Sequence, residues 1–165
     1  MEIDSLRKLY VDELKDLYSA EKQILQALPR MAKKTKNAQL KQAFELHVQE
    51  TQKQVERLDQ VFEMLGKSPR GKKCKGMEGL LEEGKEMMQE DMEPEVMDAA
   101  LIAAAQRVEH YEIAGYGTVR TYAQILGEDQ HVKLLQQTLD EEGNTDKKLT
   151  QLAESSINVE AMAEA

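Results

Sequence analysis

Apolar side chains recur along most of the chain at spacings of three, four and seven residues, which is the period of an amphipathic helix. This pattern predicts four long helices, over about residues 4–34, 37–65, 94–126 and 128–154. Gly66 and Gly127 follow two of these stretches, as glycine commonly does after a helix, and Pro94 suits the first turn of the third helix. A shorter stripe predicts a small additional helix over about residues 76–91.

Two of the predicted connections are short, so each should join a pair of neighbouring antiparallel helices, whereas about thirty residues connect the two pairs. This arrangement predicts an all-α fold, a ferritin-like four-helix bundle of two antiparallel hairpins with a long crossover carrying a short extra helix. We expect a single domain over residues 1–154. Residues 155–165 offer little to bury, so we expect them to form a flexible tail.

Composition excludes several classes of protein. The net charge of −9 would repel phosphates, so a nucleic-acid partner is not expected. The longest uninterrupted apolar run, residues 99–105, is too short to cross a membrane, and the first residues show no secretory signal. Cys74 is the only cysteine, which excludes a disulfide within one chain and suits a cytoplasmic location.

Some carboxylates occupy positions where the helical stripes should be apolar. Residues of antiparallel helices joined by a short loop lie level with each other when their numbers add to a constant. On this basis Glu21 lies level with Glu50, and Glu112 lies level with Glu142. These four residues are predicted to form one layer near the middle of the bundle.

The same arithmetic predicts a second layer about one helical turn away, roughly 6 Å along the axis. It pairs Asp16 with Gln54 and Glu109 with Asp146. Gln54 is a weak ligand, and we expect it to contact the metal ligands rather than the metal itself. The candidate metal ligands are then Asp16, Glu21, Glu50, Glu109, Glu112, Glu142 and Asp146.

Several buried carboxylates close together cannot all ionise unless cations compensate them. They must take up protons, pair with Lys or Arg, or bind metal. Lys and Arg lie mostly outside these stripes, so we favour two divalent metal ions bound by carboxylates, with Glu50 and Glu142 as bridges. Oxygen ligands suit hard ions, which indicates Fe or Mn, with Mg also compatible.

Two features leave alternatives open. His47 lies on an apolar face, either as a hydrogen-bonded core histidine that orients Glu50, the favoured interpretation, or as a direct metal ligand. Residues 67–75 contain several cations and no acid, and they form either a solvated loop or a patch for an anionic partner.

Four segments of the sequence are recognisable together. They are YSAEKQ at 18–23, HVQET at 47–51, KCKGMEGL at 73–80, and AALIAAA through VEHYE within 99–112. They closely resemble the YciF-like family of ferritin-like bacterial stress proteins. The resemblance implies a rubrerythrin-like bundle, a homodimer and a dimetal site. Ferritin-like dimetal proteins usually carry Glu-x-x-His on two helices, whereas Lys53 and Thr145 stand at the corresponding histidine positions here.

Three functional hypotheses follow. The first is a dimetal-binding stress-response protein that oxidises or handles Fe or Mn with oxygen or peroxide. The second is a non-catalytic dimeric helical protein whose polar core is hydrated or holds an incidental metal ion. The third is an adaptor that uses the basic loop, residues 67–75, to bind an acidic partner.

Overall fold

The structure is a computed structural model that describes residues 2–163, and all regular elements in this range are helices. The four long helices and the crossover helix are α1 (Leu6–Lys34), α2 (Ala38–Leu65), α3 (Lys75–Met87), α4 (Pro94–Ile125) and α5 (Asp129–Leu152). A π-helical turn (Ala153–Ile157) and α6 (Asn158–Ala163) continue from α5. None of the described helices is both long and apolar enough to span a membrane.

Side chains and glycines at the helix ends explain where the long helices begin and stop. The Ser5 hydroxyl accepts a hydrogen bond from the Lys8 amide at the start of α1, and the Asn37 side chain caps α2 in the same way. Gly66 and Gly127 have positive φ angles of 60° and 74°, a conformation that glycine adopts without steric strain. The chain therefore leaves α2 and reverses after α4 where the sequence predicts it.

The helices pack as two hairpins, α1 with α2 and α4 with α5, and α1 also contacts α4 while α2 contacts α5. The buried Asp98 carboxylate near the start of α4 accepts hydrogen bonds from the amides of Lys36 and Asn37, at 2.9 and 2.7 Å. This contact fixes the loop of the first hairpin to the second. Helix α3 packs on α1 and α4, so the predicted four-helix bundle with a helical crossover is confirmed.

The apolar core consists of two clusters at different heights in the bundle. One includes Ile24, Phe44 and Leu101, and the other includes Leu14 and Phe62. Along each long helix, buried polar residues lie between the two clusters. The bundle thus has apolar layers above and below a polar layer.

The C-terminal segment differs from the predicted tail. Residues 155–163 continue as helix, because Ile157 is buried, with 1% of its surface exposed, and α6 packs against α4. Residues 164 and 165 of the predicted tail lie outside the described range. Helix α3 ends at Met87, earlier than the sequence pattern predicts.

Candidate metal centre

Five ionisable side chains from all four long helices meet in the polar layer. This buried cluster consists of Glu21 from α1, His47 from α2, Glu109 and Glu112 from α4, and Glu142 from α5. None of these residues exposes more than 3% of its surface. Four of the carboxylates predicted as metal ligands are therefore brought together.

The buried cluster divides into two groups that share one residue. Ligand atoms of His47, Glu109 and Glu142 lie within 4.8 Å of one another, and so do those of Glu21, Glu112 and Glu142. Atoms bound to one divalent ion at roughly 2.0–2.4 Å lie no more than about 4.8 Å apart. Each group therefore has the dimensions of one metal site, and Glu142 is common to both.

Most polar atoms of the cluster have no hydrogen-bond partner among the described residues. Both carboxylate oxygens of Glu112 and of Glu142 are unpartnered, as are Oε2 of Glu21 and Oε2 of Glu109. His47 Nε2 lies 2.8 Å from Glu109 Oε1, close enough for an ion pair but not aligned as a hydrogen bond. An unsatisfied buried polar group usually costs about 1–3 kcal/mol, so these atoms need compensation by protons or by a cation. Carboxylate and imidazole donors fit divalent Fe or Mn.

Local helical geometry explains why these side chains converge. Glu109 and Glu112 are three residues apart, which places both on one face of α4. The Tyr116 hydroxyl, one turn further along, donates a 2.5 Å hydrogen bond to Glu21 Oε1. A Cβ at Gly115 would lie 2.7 Å from a methyl carbon of Leu17, so glycine lets α1 approach α4 beside the cluster.

Burial and mutual repulsion shift the acid–base equilibria of the carboxylates. Burial raises the pKa of Glu21 to about 8, although Tyr116 and His47 lower it in part. Burial, followed by the charges of neighbouring carboxylates, holds the pKa values of Glu112 and Glu142 well above their ordinary range. Without a bound cation, protons therefore neutralise part of the negative charge of these carboxylates.

The pKa values of His47 and Glu109 shift in the direction opposite to the one that burial alone would cause. Burial lowers the pKa of His47, but the charge of Glu109 and the contacts with Glu109 and Glu50 outweigh it, so that pKa is raised. Burial raises the pKa of Glu109, but His47 and the other contacts outweigh it, so that pKa is lowered. Both shifts favour the charged forms of His47 and Glu109, whose side chains lie 2.8 Å apart within the cluster.

Three predicted ligands lie outside the buried cluster. Glu50 has a partly exposed side chain, and its Oε2 lies 3.5 Å from His47 Nδ1. Asp146 contacts the exposed His110 ring at 3.1 Å, on the outer side of α4 and α5. Asp16 lies in a separate polar group. Gln54 is buried but donates its hydrogen bond to Glu141, at 3.0 Å.

That separate polar group, hereafter the Asp16 group, contains Asp16, Ser19, Cys74 and Tyr111. Tyr111 donates a 2.7 Å hydrogen bond to Asp16, and the Cys74 thiol lies 3.2 Å from the same carboxylate oxygen. The Cys74 amide donates to the Ser19 hydroxyl at 2.8 Å. Gly76 allows this packing, since a Cβ there would lie 2.6 Å from the Tyr111 ring.

The rotation of each side chain about its helix axis explains these placements. Asp16 precedes Glu21 by five residues, which turns it by about 140° around α1, so it faces α3 and α4 rather than the cluster. His47 contributes to the cluster although the sequence favoured a structural role for it. The available signal was its place on the same apolar stripe as Phe44 and Leu58.

The chain is similar over nearly its whole length to proteins already known. A family profile described as "Domain of unknown function (DUF892)" matches residues 5–162. Protein YciF of Escherichia coli strain K12 is 48% identical over 162 residues, which cover 98% of each chain. These matches confirm the resemblance predicted from the sequence motifs.

Solved structures agree with this similarity. The crystal structure of the E. coli stress protein YciF matches with a TM-score of 0.91 and 48% identity, covering 94% of this chain and 99% of that one. YcfI of Rhodopseudomonas palustris matches with a TM-score of 0.88 and 45% identity, covering 90% and 95%. A protein of Xanthomonas campestris, 22% identical with a TM-score of 0.77 over 97% and 99% of the two chains, shares the fold.

Proposed function

Because the chain belongs to the DUF892 family of YciF-like proteins, we propose that it is a dimetal-binding stress-response protein that handles Fe or Mn with oxygen or peroxide. One observation carries this proposal. The unpartnered ligand atoms of the buried cluster form two groups, each with the dimensions of a metal site, that share Glu142. The E. coli relative, described as a stress protein, supports the proposed physiological setting.

The two groups suggest one set of ligands for each ion. His47 and Glu109 would hold the first ion, Glu21 and Glu112 the second, and Glu142 would bridge them. Two adjacent Fe or Mn ions would supply electrons to oxygen or peroxide, whereas Mg would fill the same oxygen-rich site without redox chemistry.

Residues around the cluster would orient these ligands. Tyr116 binds Oε1 of Glu21, which leaves Oε2 of that carboxylate for an ion. Glu50 lies beside Nδ1 of His47, so a proton on Nδ1 would leave Nε2 free as the ligand atom. A carboxylate or carbonyl behind a ligating histidine is the usual arrangement in metal sites.

Counting the bound metal tests the proposal. Apo protein loaded anaerobically with Fe²⁺, or with Mn²⁺, should retain about two ions per chain after desalting, because each half of the cluster has the dimensions of one metal site. Glu142→Gln should lose at least one ion, whereas Glu141→Gln at the adjacent carboxylate should keep both. A wild-type protein without stoichiometric metal would contradict the proposal and favour the inert-core alternative.

Oxidation of the loaded ferrous protein tests the redox part separately. Mixing it with oxygen or with peroxide in a stopped-flow instrument should oxidise the iron faster in wild type than in Glu142→Gln. Equal rates in the two proteins would remove the redox assignment while leaving the metal count intact.

Two further proposals follow from the resemblance and the composition. A homodimer would sediment with twice the 18.8 kDa mass of one chain. A reducing, cytoplasmic compartment suits the single Cys74. The adaptor alternative draws less support, because Lys73 and Lys75 of the basic loop already bind Glu78, at 2.5 and 2.7 Å.

A further inference from the structure

A cavity of about 90 Å³ leads from the surface to one side of the buried cluster. We name it the access cavity. Its outer wall includes Leu46, Glu50, Thr145 and Lys148, and its inner wall includes His47 and Glu109. One water needs only about 10–15 Å³ of such volume, so the access cavity has room for a partly hydrated ion.

Exposure falls along the walls of the access cavity. Leu46 exposes 44% of its surface at the mouth, whereas His47 and Glu109 expose 3% and 1%. Among the described lining residues, these last two are the only members of the cluster. The cavity therefore connects solvent to one of the two proposed metal sites.

Glu50 lies between solvent and the inner wall. Its side chain is 29% exposed, and its Oε2 lies 3.5 Å from Nδ1 of His47. The Thr145 hydroxyl donates to the same oxygen at 3.4 Å. Among the described residues no Lys or Arg forms an ion pair with Glu50, and its ion-pair contact is with His47 on the inner wall of the cavity.

We propose that the access cavity is the route by which divalent cations reach the cluster, and that Glu50 captures them before they pass to His47 and Glu109. This inference rests on the proposed metal centre. Glu21 and Glu112 are fully buried and do not line the cavity, so the ion for their site passes through the His47 site first. The two sites consequently fill in sequence.

The position of Glu50 at the mouth of the access cavity suits it to bind incoming cations. A carboxylate at the mouth of a low-dielectric cavity raises the local concentration of cations and accelerates their association, while contributing less to the final affinity. The amide oxygen of Glu50→Gln can still accept a hydrogen bond from Nδ1 of His47, so this variant should slow metal uptake while saturating metal still fills both sites.

Stopped-flow binding of Co²⁺ to the apo full-length chain tests the route. Glu50→Gln should slow uptake about tenfold, whereas Glu45→Gln, the same charge change at an exposed position of α2 outside the cavity, should stay within about twofold of wild type. Leu46→Trp should slow uptake by filling the mouth, and Leu46→Ala should not. All four variants should end with about two Co²⁺ per chain.

The outcomes separate the two proposals. If wild type takes up Co²⁺ and Glu50→Gln, Leu46→Trp and Glu45→Gln all bind at the wild-type rate, the access route is overturned and the metal centre stands. If Glu50→Gln binds at the wild-type rate but retains less Co²⁺, Glu50 is a permanent ligand and the capture role is overturned. If wild type binds no Co²⁺, both proposals fail.

Discussion

The buried cluster and the Asp16 group are both polar regions inside the bundle, but they differ in how their polar atoms are satisfied. In the Asp16 group, Tyr111 and Cys74 both contact the carboxylate, at 2.7 and 3.2 Å. In the cluster, both oxygens of Glu112 and of Glu142 lack a hydrogen-bond partner. A buried carboxylate with hydrogen-bond partners in the protein is satisfied by the fold itself. A group of buried carboxylates without such partners needs protons or a cation to compensate its charge.

The same difference separates two adjacent residues of α5. Glu141 binds Arg57 through two hydrogen bonds, at 2.6 and 2.8 Å, and accepts a third from Gln54. Glu142, the next residue, is fully buried and unpartnered. Successive residues of a helix are rotated by about 100° around its axis. Glu141 therefore faces Arg57, whereas Glu142 faces the cluster.

The largest expected effect is on stabilisation by metal. Saturation with Mn²⁺ at about 100 times Kd stabilises by about 2.7 kcal/mol per site, so each filled site should raise the Tm of a chain of this size by about 5–10 °C. Glu142→Gln should lose most of this rise, and Asp16→Asn should retain it. Calorimetry with and without Mn²⁺ measures both. Retention in Glu142→Gln with loss in Asp16→Asn would reverse the comparison.

The second prediction concerns pH. The pKa of Glu21 is raised to about 8, and those of Glu112 and Glu142 are raised above the ordinary 4.5, so the folded protein holds protons that the unfolded chain releases above 4.5. Apo stability should therefore fall as pH rises from about 5 to 8. His47, whose pKa is also raised, adds to this fall at the upper end of the range.

Thermal unfolding at several pH values checks this slope. Glu112→Gln should flatten the pH dependence, because it removes one carboxyl group whose pKa is raised. Asp16→Asn should leave the pH dependence as in wild type. Bound metal replaces the protons, so the metal-dependent rise in Tm should grow over the same pH range. An apo stability that increases from pH 5 to 8 would contradict the buried cluster described above.

The third prediction concerns the stability of the Asp16 group. Asp16→Ala leaves the Tyr111 hydroxyl and the Cys74 thiol without their shared acceptor, so it should cost about 1–3 kcal/mol of unfolding free energy. Urea denaturation of the apo protein measures this loss, and Asp12→Ala on the same helix is the control. The metal content of Asp16→Ala should equal that of wild type, and a decrease would place Asp16 in the metal site.

The smallest expected effect is that of Tyr116→Phe. The change removes the hydrogen bond to Glu21 and should cost about 1 kcal/mol in the apo protein. The metal-loaded protein should lose less, because an ion can orient the same carboxylate. Urea denaturation of both forms measures the difference, and an equal loss in both would mean that the ion does not contact Glu21.

The fold was predictable because apolar periodicity and a few glycines encode it directly. The stripes place α1, α2, α4 and α5, and Gly66 and Gly127 mark where α2 ends and where the chain reverses after α4. The C-terminal helix was not predicted, because, of its larger apolar residues, Val159 and Met162 stay exposed and only Ile157 is buried, through contact with α4.

The cluster was predictable in part for a similar physical reason. Register arithmetic finds which residues lie level, so it identified Glu21, Glu112 and Glu142, and Glu109 in the adjacent layer. It does not give the direction of each side chain around its helix axis, and that direction excludes Asp16 and includes His47. The access cavity depends on packing between α2, α4 and α5, which no single stripe encodes.

The position of bound metal tests the central claim most directly. Crystals of the full chain loaded with Mn²⁺ should show two anomalous diffraction peaks, both in contact with Glu142. One should lie between His47 and Glu109 and the other between Glu21 and Glu112. Crystals without a peak in the cluster, or with a peak beside Asp16 or Asp146 instead, would contradict the account.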